Sequence, residues 1–172
     1  MQVPTFSPRT LWLILAGGSA SLVIASLVLT AWQNLHPCHL CIFQRLLYML
    51  LAGIGLAAGL LQPRPVGRWV GFFGLPLAAW GLVVASHQSW LQMQPPGSIS
   101  CVGGNPSLIE QWVEWLGGIS PELFLATGFC EEAEMTILGL SLAQWSVLGF
   151  AACLFLAYRA WRPARERRIF RT

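Results

Sequence analysis

The chain contains no lysine and no aspartate. Its 172 residues are 10% charged and 55% hydrophobic, whereas a soluble globular domain is about 25% charged. This scarcity excludes an ordinary water-soluble fold and predicts an integral membrane protein. All ten cations are arginines. They flank apolar runs instead of forming a stripe interleaved with aromatics, which excludes nucleic acid as a partner. Cations are also missing from Leu91 to Ile137, a stretch that holds six of the seven acids: Glu110, Glu114, Glu122, Glu131, Glu132 and Glu134. Repeats and low-complexity segments are lacking too, so one domain over residues 1–172 is expected.

What the chain does have is four long apolar runs. Crossing about 30 Å of hydrocarbon takes roughly 20 helical residues, and spans are expected over about 11–32, 42–61, 69–89 and 138–158. The second carries Arg45 in its first turn. The third contains Pro76, which predicts a kink. Trp12, Trp32, Trp69, Trp90, Trp145 and Trp161 fall near span ends and read as interfacial anchors. The first run exceeds a signal-peptide core and no small-x-small site follows it, so it is read as a retained span. Gly55 and Gly59 form a small-x-x-x-small pair that permits close helix packing. The loop 62–68 is short and holds Pro63, Pro65 and Gly67, which makes spans two and three antiparallel neighbours.

Arg9, Arg64, Arg68, Arg159, Arg162, Arg165, Arg167, Arg168 and Arg171 fall on one side of these spans, the cytoplasmic side by the positive-inside rule. Both termini are then cytoplasmic, with a basic tail over 159–172, and the loops of about 33–41 and 90–137 face outward. The expected fold class is all-α: an integral membrane antiparallel four-helix bundle with a long periplasmic loop. Inside that loop Leu108, Trp112, Trp115 and Leu116 recur at helical spacing, while Glu110, Gln111 and Glu114 fall elsewhere on the wheel. A short amphipathic helix over 107–116 is expected, either lying on the membrane surface or capping the bundle in solvent.

The cysteines are Cys38, Cys41, Cys101, Cys130 and Cys153. Four lie at or beyond the outer boundary, where disulfides persist. Cys38-His39-Leu40-Cys41 has the spacing of a strained, reducible pair. Cys101 with Cys130 would close a loop across the amphipathic helix. Cys41 stands where a helix N-terminus favours an anion, and in a continuous helix it shares a face with Arg45. Both influences promote a reactive thiolate. Together they make a seat for an apolar quinone, because the cation stabilises charge developing on a quinone oxygen. Arg45 could instead snorkel toward headgroups, although an arginine is unexpected on the outer side. His39 either tunes the pair or is filler. Cys153 lies in an apolar run and reads as a small core hydrophobe. Haem attachment needs a histidine directly after the second cysteine, where Ile42 stands. A four-cysteine zinc site lacks a second short knuckle. Two purely structural disulfides are a further alternative, but the short Cys38–Cys41 ring gains little from loop closure.

The run Pro37-Cys38-His39-Leu40-Cys41-Ile42-Phe43-Gln44-Arg45 resembles the DsbB family of bacterial inner-membrane disulfide-bond formation proteins. Trp90-Leu91-Gln92, Cys101, Ala126-Thr127-Gly128-Phe129-Cys130-Glu131 and Leu138-Gly139-Leu140-Ser141 leading to Gln144-Trp145 extend the likeness over most of the chain. The resemblance implies a membrane thiol:quinone oxidoreductase. A reduced DsbA-like periplasmic oxidase would attack Cys101, and Cys130 would be released. Electrons would then reach the Cys38–Cys41 disulfide and pass from Cys41, with Arg45 assisting, to ubiquinone or menaquinone. Gln44, His87 and Gln88 are the further candidates for quinone contact, with the choice between His87 and Gln88 open. Phe129 departs from the polar residue that many relatives carry before the last cysteine. An enzymatic rival runs electrons the other way, as in vitamin K epoxide reductase-like proteins, whose pair usually lies later in the bundle. A non-enzymatic scaffold is the rival outside the enzymes.

Overall fold

The computed structural model describes residues 6–94, 108–124, 126, 128 and 136–162. The elements are α1 (Pro8–Gln33), α2 (His39–Leu61), α3 (Pro65–Phe72), α4 (Gly74–Leu91), α5 (Leu108–Ile119), α6 (Pro121–Phe124), β1 (Thr136–Ile137), β2 (Leu140–Ser141) and α7 (Leu142–Trp161). Four stretches are long and apolar enough to cross a membrane: α1, α2, the broken α3–α4 helix and α7. They agree with the four expected spans.

Local chemistry sets the ends. Ser7 caps α1 by accepting the Thr10 N–H at 3.2 Å, and Pro8 occupies a first-turn site whose N–H would be unpaired anyway. Asn34, in the left-handed region at φ 49°, stops the helix. The third span breaks at Phe73. Pro76 offers no N–H to the Phe72 carbonyl and its ring crowds that carbonyl. Phe73 N–H turns back to Val70 O instead, at 3.2 Å. The expected kink is therefore present, three residues ahead of the proline that causes it.

The fourth span starts later than expected. Leu138 and Gly139 both have positive φ, 54° and 81°, and make the two-residue turn of a hairpin pairing Thr136 with Ser141. Ser141 then caps α7: its hydroxyl accepts the Gln144 N–H and the Gln144 side chain accepts the Ser141 N–H at 3.0 Å. The helix begins at Leu142 rather than Leu138, and this small hairpin is the one β feature among the described residues.

The helices form a closed ring in the order α2, α1, α7, α4. Its core includes Leu15, Leu51, Ala58, Ala78 and Phe150, with the Tyr48 ring stacked on Phe150 at 4.0 Å. Ile24, Leu60, Val83 and Phe155 turn outward, as suits helices solvated by lipid. Gly55 lets the backbones of α1 and α2 touch: a β-carbon there would lie 3.0 Å from Trp12 O and 3.1 Å from Ala16 N.

Trp12 departs from its expected role as an interfacial anchor, being 0% exposed. Gly71 opens a recess in α3, and the indole fills it so closely that a β-carbon at 71 would run into the ring. Trp32, Trp69, Trp90 and Trp145 remain exposed. Trp161 is half-buried, with the Arg68 guanidinium 5.5 Å from its ring centre.

The helix expected over 107–116 is present as α5 (Leu108–Ile119). Val113 and Gly117 are buried, and α5 packs on α2. Leu108, Trp112, Trp115 and Ile119, which include most of the expected apolar face, are exposed. The expected basic tail beyond Arg162 lies outside the described residues.

Candidate active site at the start of α2

Cys38 sits just ahead of α2 and acts as its N-cap, with extended φ −80° and ψ 167°. Its sulfur takes the role usually filled by a serine or aspartate oxygen, accepting the Cys41 N–H at 3.4 Å. The cap folds the chain so that the two sulfurs stand 3.1 Å apart, Cys38 Sγ donating to Cys41 Sγ. Cys38 is 3% exposed, beside Leu91 and Leu40, and Cys41 is the more open of the two. The helix is continuous from His39 to Leu61, so Cys41 and Arg45 are one turn apart, as expected.

Arg45 is 4% exposed. Its Nε donates to Ser26 Oγ at 3.1 Å, one terminal nitrogen to Thr30 Oγ1 at 3.1 Å, and the other to the Leu123 carbonyl at 3.0 Å. These bonds tie the guanidinium to α1 and α6 rather than letting it reach outward as a snorkelling arginine would. All three acceptors are neutral oxygens, so they fix the cation in place without cancelling its charge.

Gln88 on α4 faces the cysteines and is 1% exposed. Its Nε2 donates to Cys41 Sγ at 2.9 Å and to Cys38 Sγ at 3.4 Å, while its Oε1 accepts from Gln44 Nε2 at 2.7 Å. His87, the other of the two candidates left open on this helix, is exposed, with its ring 6.0 Å from that of Trp90. Successive residues on a helix point about 100° apart, so α4 can turn only one of the two to the bundle centre.

Cys38, Cys41, Gln44, Arg45 and Gln88 share a cavity of about 350 Å³. They form its polar end. The remainder is largely apolar, with Leu22, Val23, Leu29, Leu142 and Ala143 among the lining residues. Beside it, the Gly128 N–H donates to Pro37 O at 3.3 Å. A β-carbon on Gly128 would collide with the His36 carbonyl, so the chain at Gly128 docks onto the chain just ahead of Cys38. Cys101 and Cys130 themselves lie outside the described residues. Cys153 is in the core, as expected, with Ser19 Oγ 3.6 Å from its sulfur.

Sequence reasoning missed Ser26, Thr30 and Leu123. Ser26 and Thr30 carried a usable signal: two hydroxyls at i and i+4 on one face, in the outer third of a span with no charged residue. The Leu123 contact uses a backbone carbonyl and has no sequence signature.

Four membrane-length helices around a dithiol at the polar end of an apolar cavity define a membrane protein of thiol–disulfide redox chemistry. Residues 8–160 match the family model for Disulfide bond formation protein DsbB, and the chain belongs to that family. Disulfide bond formation protein B of Dechloromonas aromatica (strain RCB) is 40% identical over 152 residues, covering 87% of this chain and 90% of that protein. The protein of the same name from Azoarcus sp. (strain BH72) is 38% identical, covering 87% and 89%. That from Verminephrobacter eiseniae (strain EF01-2) is 34% identical, covering 94% and 92%. Membership supports a role as a disulfide oxidoreductase.

Proposed function

We propose that the protein is a thiol:quinone oxidoreductase of the bacterial inner membrane that reoxidises a DsbA-like periplasmic dithiol oxidase, with ubiquinone or menaquinone as acceptor. Electrons enter through Cys101 and Cys130 and reach the Cys38–Cys41 pair. Both termini lie in the cytoplasm, and the outcome is disulfide formation in periplasmic proteins. The observation that carries this reading is the dithiol opening onto an apolar cavity whose polar end holds a fixed, buried arginine.

The donor set suits a quinone. The apolar walls match an aromatic ring and isoprenoid tail, and Arg45 and Gln44 offer N–H groups to ring oxygens. A quinone, when bound, supplies a two-electron acceptor. Arg45, immobilised by three hydrogen bonds, stabilises negative charge that develops in the cavity without having to reorganise. Cys41, the more open sulfur, is the one presented to the acceptor. The Gly128–Pro37 contact, two positions before Cys130 in the sequence and one before Cys38, favours exchange between the cysteine pairs. The outward Leu108, Trp112, Trp115 and Ile119 side chains favour a membrane-surface position for α5.

The test is anaerobic quinone absorbance with purified protein in detergent, reduced DsbA-like oxidase as donor and ubiquinone, then menaquinone, as acceptor. Quinone loss should match oxidase oxidation mole for mole and fall to background in Cys41→Ser. An unaltered protein that reduces neither quinone would overturn the proposal.

A further inference from the structure

Gln88 lies deeper in the structure than a simple cavity-lining role requires. It is 1% exposed, and each end of its carboxamide has a partner of a different kind. Nε2 donates to sulfur on both cysteines, at 2.9 Å from Cys41 and 3.4 Å from Cys38. Oε1 faces the other way and accepts from Gln44 at 2.7 Å. Gln44 is three residues after Cys41 on the same helix. A neutral amide also avoids the desolvation that a second buried cation beside Arg45 would incur.

We propose that Gln88 is a catalytic residue, a fixed double hydrogen-bond donor to the reduced Cys38–Cys41 pair, and that Gln44 is the positioning residue that keeps its N–H groups turned to the sulfurs. Hydrogen bonds to an anionic acceptor are much stronger than those to a neutral one, and a disulfide sulfur is a weak acceptor. The amide therefore stabilises the state with one thiol and one thiolate more than it stabilises the disulfide, and it biases the pair toward accepting electrons. Oxidation of the pair forms the Cys38–Cys41 S–S bond, breaks the Cys38 S–H bond and releases two electrons and that proton. With one solvent proton, these convert quinone to quinol. The acceptor's identity comes from the reading above, while the bias on the pair does not depend on it.

The test is equilibrium of the full-length protein in lipid nanodiscs with glutathione redox buffers, without quinone or oxidase. Alkylation and mass spectrometry then quantify the peptide bearing Cys38 and Cys41. Gln88→Leu should shift the pair about tenfold toward the disulfide, roughly 30 mV on the two-electron scale. Gln44→Glu can only accept hydrogen bonds when ionised, so it should draw Gln88 Nε2 away from the sulfurs and shift the pair in the same direction. Gln88→His, which retains an N–H donor, should recover part of the shift. Resistance of Cys153 to alkylation reports an intact core in each variant. With that core intact, an unchanged midpoint in both Gln88→Leu and Gln44→Glu would overturn the proposal. A shifted midpoint in a protein that reduces no quinone would uphold it while sinking the quinone reading.

Discussion

The two ends of α2 are held to α1 by opposite means. Toward Leu61, Gly55 lets the helices meet backbone to backbone at Trp12 and Ala16, and Gly59 leaves room for the Leu13 side chain. Toward His39, a long cation reaches across the gap to Ser26 and Thr30. Lipid tails are as apolar as leucine, so packing and hydrogen bonds between helices decide their association in a membrane. The glycine end uses the first and closes. The arginine end uses the second, and residues of both helices there line the cavity together with α4 and α7. One helix pair thus provides a close backbone contact at one end and one wall of a polar-ended chamber at the other.

The largest effect on that contrast is expected at the closed end. Gly55→Leu would push side-chain atoms onto the α1 backbone, which cannot move aside as a side chain can. A loss of about 1–3 kcal/mol is expected, read as a lower midpoint of thermal unfolding in detergent. Gly53→Leu is the matched control, because nothing lies within 4 Å of a β-carbon there. If both variants melt alike, the closed end does not depend on backbone contact. Because Ser26 and Thr30 ride on α1, Gly55→Leu should also slow quinone reduction by displacing the partners of Arg45.

At the open end the effect should fall on rate more than on folding. Arg45→Ala removes three charge-assisted hydrogen bonds, each of a class worth about 1.5–3 kcal/mol. If the equivalent of one such bond acts on charge developing in the cavity, quinone reduction should fall about 10–100-fold. Arg45→Lys keeps the charge but cannot span three acceptors with a planar fork, so its rate should lie between those of Arg45→Ala and the parent. Steady-state assays at saturating quinone give the order. Equal rates for the lysine variant and the parent would show that charge alone matters and that the ties to α1 and α6 do not.

The same contrast explains what was legible in the sequence. The four spans stand out because nothing but a membrane requires runs of that length, and the Cys38–Cys41 spacing with Arg45 one turn on is a local pattern. The true start of α7 was also written locally, in the Ser141-Leu142-Ala143-Gln144 capping box, but hydropathy blurs such ends. Trp12 was not legible: its burial depends on a recess made by Gly71, 59 positions away. The Gln44–Gln88 bond likewise joins residues 44 positions apart, and neither amide is unusual in its own segment. Apart from the i, i+4 hydroxyls of Ser26 and Thr30, the polar contacts that build the chamber join distant segments, so periodicity carries little trace of them.

The smallest effect separates two neighbours on α4 that the sequence could not rank. His87 and Gln88 are adjacent, and a histidine has the richer chemistry of the two: it can donate, accept and carry charge near neutral pH. Chemistry without direction is idle, however, and α4 turns His87 outward beside Trp90 while burying Gln88 against both sulfurs. His87→Ala should therefore behave as a surface substitution, within about 0.5 kcal/mol in stability and about twofold in rate, and should leave the midpoint of the Cys38–Cys41 pair where the parent has it. Measured beside Gln88→Leu in the same nanodiscs, it tests whether the bundle or the side-chain type assigns the role. A tenfold rate loss in His87→Ala would mean that α4 rotates during turnover by about the 100° that separates the two residues, and that the chamber described here is only one of its working arrangements.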